Sequence, residues 1–287
     1  MTESIGILQR TLASLDLEEV SDDVFEGHPG TGRHRLFGGL VAAQAVIAAG
    51  RTVDRERKLH SLHAYFLRPG SPGVPIRLEV TRTREGRSFS SRSIRASQGG
   101  ETILTCVSSF AVDEEAPSLQ TIEMPRAPDP SDLPDREQER ARRYSKTLGV
   151  DLKAYDSAVE VRLCDPSVVE PGISREPRQD NWLRVKGNLG ADVLLQRAML
   201  VYASDRALLA TARMPYDVGR HKLMAMSLDH AMWIHHDVDL ADWHLCQCFS
   251  PVSSNSRSIV LCHIYRSDGV CVATVAQEGL VRVRRES

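Results

Sequence analysis

Three polar side chains in the second half of the chain are of the types that water activation needs. Asp205 interrupts the apolar helical run Ala198-Met199-Leu200-Val201-Tyr202-Ala203-Ser204. A carboxylate there is costly to bury unless it is paired, and a desolvated one becomes basic enough to take a proton from water. Ser227 closes Met224-Ala225-Met226, and a hydroxyl that both donates and accepts can bridge a carboxylate and a water. Gln277 follows the apolar strand pattern Val272-Ala273-Thr274-Val275-Ala276. Its amide cannot be a base, but its donor and acceptor can position a water. Each has an ordinary reading beside this one. Asp205 could pair with Arg206 or Ser204, Ser227 could be a plain strand serine, and Gln277 could bond backbone at a strand end.

The elements that must position these groups occur twice. Ser61-Leu62 with His63-Ala64 matches Ser227-Leu228 with His230-Ala231, Ser91-Arg92-Ser93-Ile94 matches Ser256-Arg257-Ser258-Ile259, and the turn Gly99-Gly100 matches Asp268-Gly269. Offsets of roughly 165 to 169 residues imply a duplicated domain. Duplicated halves tend to pack as a pseudo-dimer, with one junction site keeping its chemistry while its twin decays. Counting from these landmarks aligns Gln277 with Ser108 and Asp205 with Gly39, so the first copy lacks both the amide and the carboxylate.

In the first half, 1–113, the helical spacing of Ile5, Leu8, Leu12 and Leu15 predicts a short amphipathic helix, and Val20–His28 reads as a strand. Leu40–Ala49 reads as an uncharged helix buried all round and stopped by Gly50. Leu59–Leu67, Ile76–Glu85, Ser88–Gln98 and Thr102–Val112 read as an antiparallel meander. Residues 114–156 form a Pro-rich linker whose charged run Asp135–Tyr144 reads as a short exposed helix with a solvated face. The second half, 157–287, repeats the order: strands at Val159–Leu163 and Asn181–Lys186, a helix over Asp192–Thr211, then strands at Met224–Ile234, Trp243–Phe249, Arg257–Tyr265 and Val270–Val283. The fold class is α+β.

A formal net charge of −2 gives no reason to expect a nucleic-acid partner. The sequence has no run of apolar residues long enough for a membrane helix, and Met1–Glu19 lacks the basic start of a secretory signal. The six cysteines are scattered, several in apolar strands, and read as buried thiols in a reducing cytoplasm rather than zinc ligands. His235-His236-Asp237 and the pair His60/His63 resemble metal clusters, but adjacent strand residues face opposite ways, so no metal is expected. Gly30-Thr31-Gly32 lacks the lysine and helix of a phosphate loop.

Several stretches together resemble the acyl-CoA thioesterase II family. They are Arg35-Leu36-Phe37-Gly38-Gly39 with Gln44-Ala45, His60 through Gly70, Tyr202-Ala203-Ser204-Asp205, Ser227 through Trp233, Asp268-Gly269-Val270 and Gln277-Glu278-Gly279-Leu280. The resemblance implies a double hotdog, two units that each wrap an antiparallel sheet around a long helix. It also implies hydrolysis of acyl-CoA to free acid and CoA without a cofactor. The family's Asp, Thr or Ser, and Gln fall on Asp205, Ser227 and Gln277. Thr is commoner at the middle position, so Ser227 is a departure that loses the methyl restricting its rotamer. Asp165–Asp180 and Pro215–His221 also depart from the family pattern.

Backbone at Gly38 and Gly39, together with the Gln277 amide, is the candidate oxyanion donor set. His63, Arg68 and Arg257 are candidates for substrate contact, and Arg33, Arg35, Arg68 and Arg257 are candidates for the CoA phosphates. A dimer or tetramer of the chain is expected. Two other functions remain open at this level: a catalytically silent acyl-CoA-binding protein, and an enoyl-CoA hydratase, whose Asp/His pair is not found around Asp205.

Overall fold

The computed structural model describes residues 2–30, 35–170, 172–206, 208–216 and 223–283. Arg33 and most of the loop Pro215–His221 lie outside the described residues. The first half contains helix α1 (Thr2–Leu15), strands β1 (Glu18–Ser21) and β2 (Val24–Gly27), helix α2 (Gly38–Gly50), and strands β3 (Lys58–Phe66), β4 (Ile76–Glu85), β5 (Phe89–Gln98) and β6 (Glu101–Ala111). The second contains helix α3 (Arg136–Leu148), strands β7 (Val159–Leu163) and β8 (Arg178–Val185), helices α4 (Val193–Ser204) and α5 (Leu208–Ala212), and strands β9 (Leu223–Ser227), β10 (Asp229–Ile234), β11 (His244–Ser254), β12 (Arg257–Arg266) and β13 (Cys271–Val283).

The strands form one antiparallel sheet in the order β1-β2-β4-β5-β6-β3-β10-β13-β12-β11-β8-β7, with β9 added beside β13. The order reads as two copies meeting at β3 and β10. Those strands pair antiparallel, with His63 opposite Ala231. The cross-strand neighbours of that pair are Val107 on one side and Ala276 on the other. The two hotdog units therefore join edge to edge about a pseudo-two-fold axis, which removes two exposed strand edges. Helix α2, apolar on every side, is buried from Gly39 to Ala49 because the sheet wraps it on one side and α4 covers the other. The two helices run antiparallel: Gly39 lies against the Tyr202 carbonyl at one end, and Gly50 against Leu194 at the other.

Ladder register corrects two of the sequence matches. Ser108 pairs with Arg92, and Gln277 pairs with Val260. Arg92 thus corresponds to Val260, both buried, and not to Arg257, which is exposed. Likewise His63 corresponds to Ala231, whereas His230 is buried on the opposite face. A shift of one residue along a strand moves every side chain to the other face, so similar letters at an odd displacement do not share an environment. The alignment of Asp205 with Gly39 is corrected as well. Asp205 is the C-cap of α4, and the C-cap of α2 is Arg51, with almost the same backbone angles. Counting failed there because the second half inserts α5 and β9 between helix and sheet.

Other differences are local. Val20–His28 is not one strand but a hairpin turning at Asp23, whose φ of 58° lies in the left-handed region. The Asp192–Thr211 helix ends at Asp205 and resumes as α5. Met224–Ile234 breaks at Leu228, whose N–H bonds Glu278 of β13 and whose carbonyl accepts from Phe66 of β3. The charged linker helix is not simply solvated. Asp135 caps it, Arg136 and Glu139 are buried, and Arg136 donates to the Arg206 carbonyl at 2.8 Å. Upstream, Trp182 donates to the Pro128 carbonyl at 2.9 Å, and Met124, Ala127 and Leu133 pack against the cluster that Trp182 forms with Leu245, Tyr265 and Cys271.

Candidate active site

Four elements deliver the three sequence candidates to one point. The N-terminus of α2 has no capping side chain of its own, because Phe37 occupies its N-cap. The Asp205 carboxylate, arriving from the end of α4, supplies the missing acceptor: the Gly39 N–H donates to its Oδ2 at 2.9 Å. Gln277, on β13 and buried, donates from Nε2 to Asp205 Oδ1 at 2.7 Å and to Ser227 Oγ at 2.6 Å. Ser227 ends β9 and faces Gly279 in the ladder. A Cβ at Gly279 would fall 2.2 Å from a Leu209 methyl, which would have to turn aside, so glycine lets α5 close over this part of β13. Gly39 is required in the same sense, since a Cβ there would meet the Phe37 ring at 2.7 Å and the Tyr202 carbonyl at 2.9 Å.

Burial pushes the Asp205 carboxyl up to about 6. Hydrogen bonds from Gln277 and Gly39, the charge of Arg206 and the Ser227 hydroxyl pull the other way. The result is a carboxylate ionised at neutral pH yet more basic than a solvated one. Gln277 Oε1 is buried and has no partner among the described residues, so the amide retains an unused acceptor beside the carboxylate. His230, behind the site, is held neutral by burial, which lowers it to about 4, and its Nε2 meets Ser204 Oγ at 3.0 Å.

Asp205 opens onto a cavity of about 370 Å³. Its wall includes Arg136, Glu137, Arg140 and Tyr144 from α3, with Arg175, Arg206 and Arg213 from the second half. The sequence reading missed this wall, because it took the charged run for a solvated face. The Asp135 cap and the Glu–Arg pairs at helical spacing announce the helix but are equally those of a solvated one, so nothing in the sequence marked its packing against the site. A second cavity, about 360 Å³, lies beyond Tyr155, Phe37 and Tyr202 and is lined by α1, Leu40 and Arg35. Arg206 stacks on Phe37 and Tyr155, with its guanidinium 5.2 and 4.6 Å from the ring centres.

The remaining candidates are not all brought here. Gly38 sits against the cluster, its Cβ direction 3.3 Å from Asp205 Oδ2. His63 is on the outward face of β3, edge-on to Trp233. Arg68 is exposed and pairs with Glu101, and Arg257 is exposed and pairs with Glu278. None of these three lines either cavity. Arg35 lines the second cavity and bonds Met226 Sδ. Among the described residues no group of His, Cys, Asp or Glu is arranged to hold a metal, and no helix is long and apolar enough to cross a membrane.

A sheet folded around two antiparallel helices, with a carboxylate, an amide and a hydroxyl at their junction, defines a double hotdog protein. Residues 27–112 match the family model of the acyl-CoA thioesterase N-terminal domain, and residues 151–280 match that of acyl-CoA thioesterase. The chain is 37% identical to human acyl-coenzyme A thioesterase 8, over 94% of its own length and 88% of the relative's. It is 34% identical to acyl-CoA thioesterase 2 of Haemophilus influenzae, covering 96% and 98%. The crystal structure of an acyl-CoA thioesterase II from Mycobacterium marinum superposes with a TM-score of 0.80 at 34% identity, over 95% of this chain and 98% of that one. The chain belongs to the acyl-CoA thioesterase II family and is a thioester hydrolase.

Proposed function

We propose that the chain hydrolyses fatty acyl-CoA to free acid and CoA, with Asp205 as general base and Ser227 and Gln277 holding the attacking water. The observation that carries this reading is the Asp205–Gln277–Ser227 contact, at 2.7 and 2.6 Å, with Asp205 on the wall of a cavity. A water lying against Asp205 would be oriented by the Ser227 hydroxyl and the unused Gln277 Oε1. As its oxygen bonds the thioester carbonyl carbon, its proton passes to Asp205. The C–S bond then breaks and the CoA thiolate leaves; a thiolate is a good leaving group and needs little acid assistance.

Two of the three candidate oxyanion donors are already engaged. The Gly39 N–H is engaged by Asp205, and the Gln277 amide nitrogen by Asp205 and Ser227. The first N–H of α2, at Gly38, has no intrahelical acceptor, lies against the cluster and sits at the positive end of the helix, so we assign it as the oxyanion donor. The proposal places the chemistry in the second unit, 157–287, with 1–113 contributing the helix start and 114–156 part of the cavity wall. Cytoplasmic location and a homo-oligomeric state belong to it too. Free thiols suit a reducing compartment, and Tyr65, Val107 and Trp233 are exposed on the outer sheet face.

The test is thiol release from acyl-CoAs of short to long chain. Steady release supports hydrolysis. Saturable binding with no release at any length would leave a silent binding protein, and loss of enoyl absorbance without thiol release would indicate a hydratase.

A further inference from the structure

Resting on that reading of the site, we propose that the arginine-lined cavity beside Asp205 is the subsite for the phosphates of the CoA arm, with Arg140, Arg175 and Arg213 as their ligands. Among the described residues five guanidiniums line this cavity, those of Arg136, Arg140, Arg175, Arg206 and Arg213. The carboxylates beside them are already committed. Glu137 is shared by Arg136 at 2.8 Å, Arg140 at 2.7 Å and Arg206 at 3.6 Å. Burial opposes the ionisation of Glu137, but the charges of those three arginines outweigh it and hold the carboxyl below its usual range. Glu170 is taken by Arg143 at 2.7 Å and reaches Arg175 only at 3.7 Å. Asp205 is held by Gly39 and Gln277.

Positive charge is therefore left over. Arg213 has no carboxylate partner among the described residues. Burial lowers its pKa, Tyr144 counteracts this, and the neighbouring charge of Arg140 adds to the lowering. The Nε of Arg175 is buried without an acceptor among the described residues. Partly desolvated guanidiniums in excess of carboxylate are unfavourable until an anion joins them, and phosphate accepts from guanidinium in bidentate fashion.

The cavity also presents Val168, Ile173, Leu209 and Met214, but an apolar acyl chain laid over the guanidiniums would deepen that penalty. The second cavity, behind the Phe37–Arg206–Tyr155 stack, is more apolar than polar, with Ile7, Ala13, Phe37 and Leu40 beside Arg10 and Arg35, and suits the acyl arm better. The two arms of the thioester thus leave the carbonyl on opposite sides of one aromatic–guanidinium wall. The CoA phosphates are the anion that every substrate carries, whatever its acyl group.

The experiment compares octanoyl-CoA with octanoyl-N-acetylcysteamine, which has the same thioester and no phosphate, in wild type, Arg213→Gln and Arg140→Gln. The expected result is that the ratio of kcat/KM for the CoA ester to that for the cysteamine ester falls about tenfold or more in each variant, through KM, with Arg213→Lys recovering part of it. An equal fall for both esters, or no change for the CoA ester, overturns the proposal. So does a selective loss with a carboxylate-tipped cysteamine thioester, which would assign the arginines to the far end of the acyl group. Asp205→Asn keeps the two readings apart: it should abolish turnover of both esters, and its failure to do so would sink the base assignment while leaving the phosphate assignment untouched.

Discussion

The two ends of the α2–α4 helix pair are related by the pseudo-two-fold axis, and they have opposite contents. At one end the start of α2 meets the end of α4, and the Gly39 N–H is capped by Asp205 with Gln277 alongside. At the other end Gly50 meets Leu194, Arg51 holds the C-cap, and Ser108 stands where Gln277 stands. Arg51 is turned away, to the Leu17 carbonyl and to Asp16 at 3.1 Å. Duplication thus supplied two helix starts facing two helix ends, and only one received an acceptor with chemistry in it. The other start, that of α4, is capped by its own Asp192, which accepts from the Leu195 N–H at 3.1 Å, and Leu194 fills the space against Gly50. A helix start that has to be capped across a domain junction provides, with no added element, a place to hold a carboxylate in partial burial.

The sharpest way to break this comparison is Asp205→Asn. It keeps an oxygen for the Gly39 N–H, and Gln277 can turn its free Oε1 toward the new amide, so the fold should hold. Thiol release should fall at least about a hundredfold while acyl-CoA binding, measured by calorimetry, is retained. Next is Gln277→Ser, which writes the first half's residue into the second. A loss of roughly tenfold to a hundredfold in kcat is expected from losing the amide that joins the base to Ser227; an unchanged kcat would show that the amide is not part of the machinery.

The glycines at the two ends test whether the ends differ in function or only in composition. Gly39→Ala places a methyl 2.9 Å from the backbone carbonyl of Tyr202, which cannot move aside alone. It should cost about 1–3 kcal/mol and at least about tenfold in kcat, because Asp205 shifts with the helix end. Gly50→Ala meets the Leu194 side chain, its methyls at 2.3 and 2.6 Å and its Cγ at 3.0 Å. It should lower the melting temperature while sparing kcat per folded molecule. Equal losses of kcat at both positions would contradict the comparison.

The pH profile of kcat/KM should fall about tenfold per pH unit below about 6, because protonated Asp205 cannot accept a proton, and should level off above it. A limb near 4 would mean that burial does not raise this carboxyl. The smallest effect expected is Ser227→Thr, which restores the methyl and should change kcat by no more than about threefold. A large loss would show that Leu209 and Met226 leave no space for it.

Much of the fold was legible in the chain. The uncharged run over α2, the alternating strands and the hairpin glycines follow directly from residue type and period. Asp205, Ser227 and Gln277 stood out because each breaks an apolar pattern, and a polar group in an apolar pattern must find a partner. The matches of Ser91–Ile94 to Ser256–Ile259 and of His63 to His230 misled, because likeness of letters carries no information on strand parity. His63, Arg68 and Arg257 attracted attention by type, yet each faces outward into contacts of its own.

What the sequence alone determined was local and periodic: which segments are helix or strand, that there are two copies, and which copy holds the polar groups. What only the tertiary structure decided was who meets whom across the axis. The Gly39 cap, the engagement of two of the three candidate oxyanion donors by the base and the serine, and the folding of the charged linker onto the site all join residues distant in sequence. Their pairing depends on how two sheets and two helices pack in space, and no short-range pattern in the chain encodes that distance.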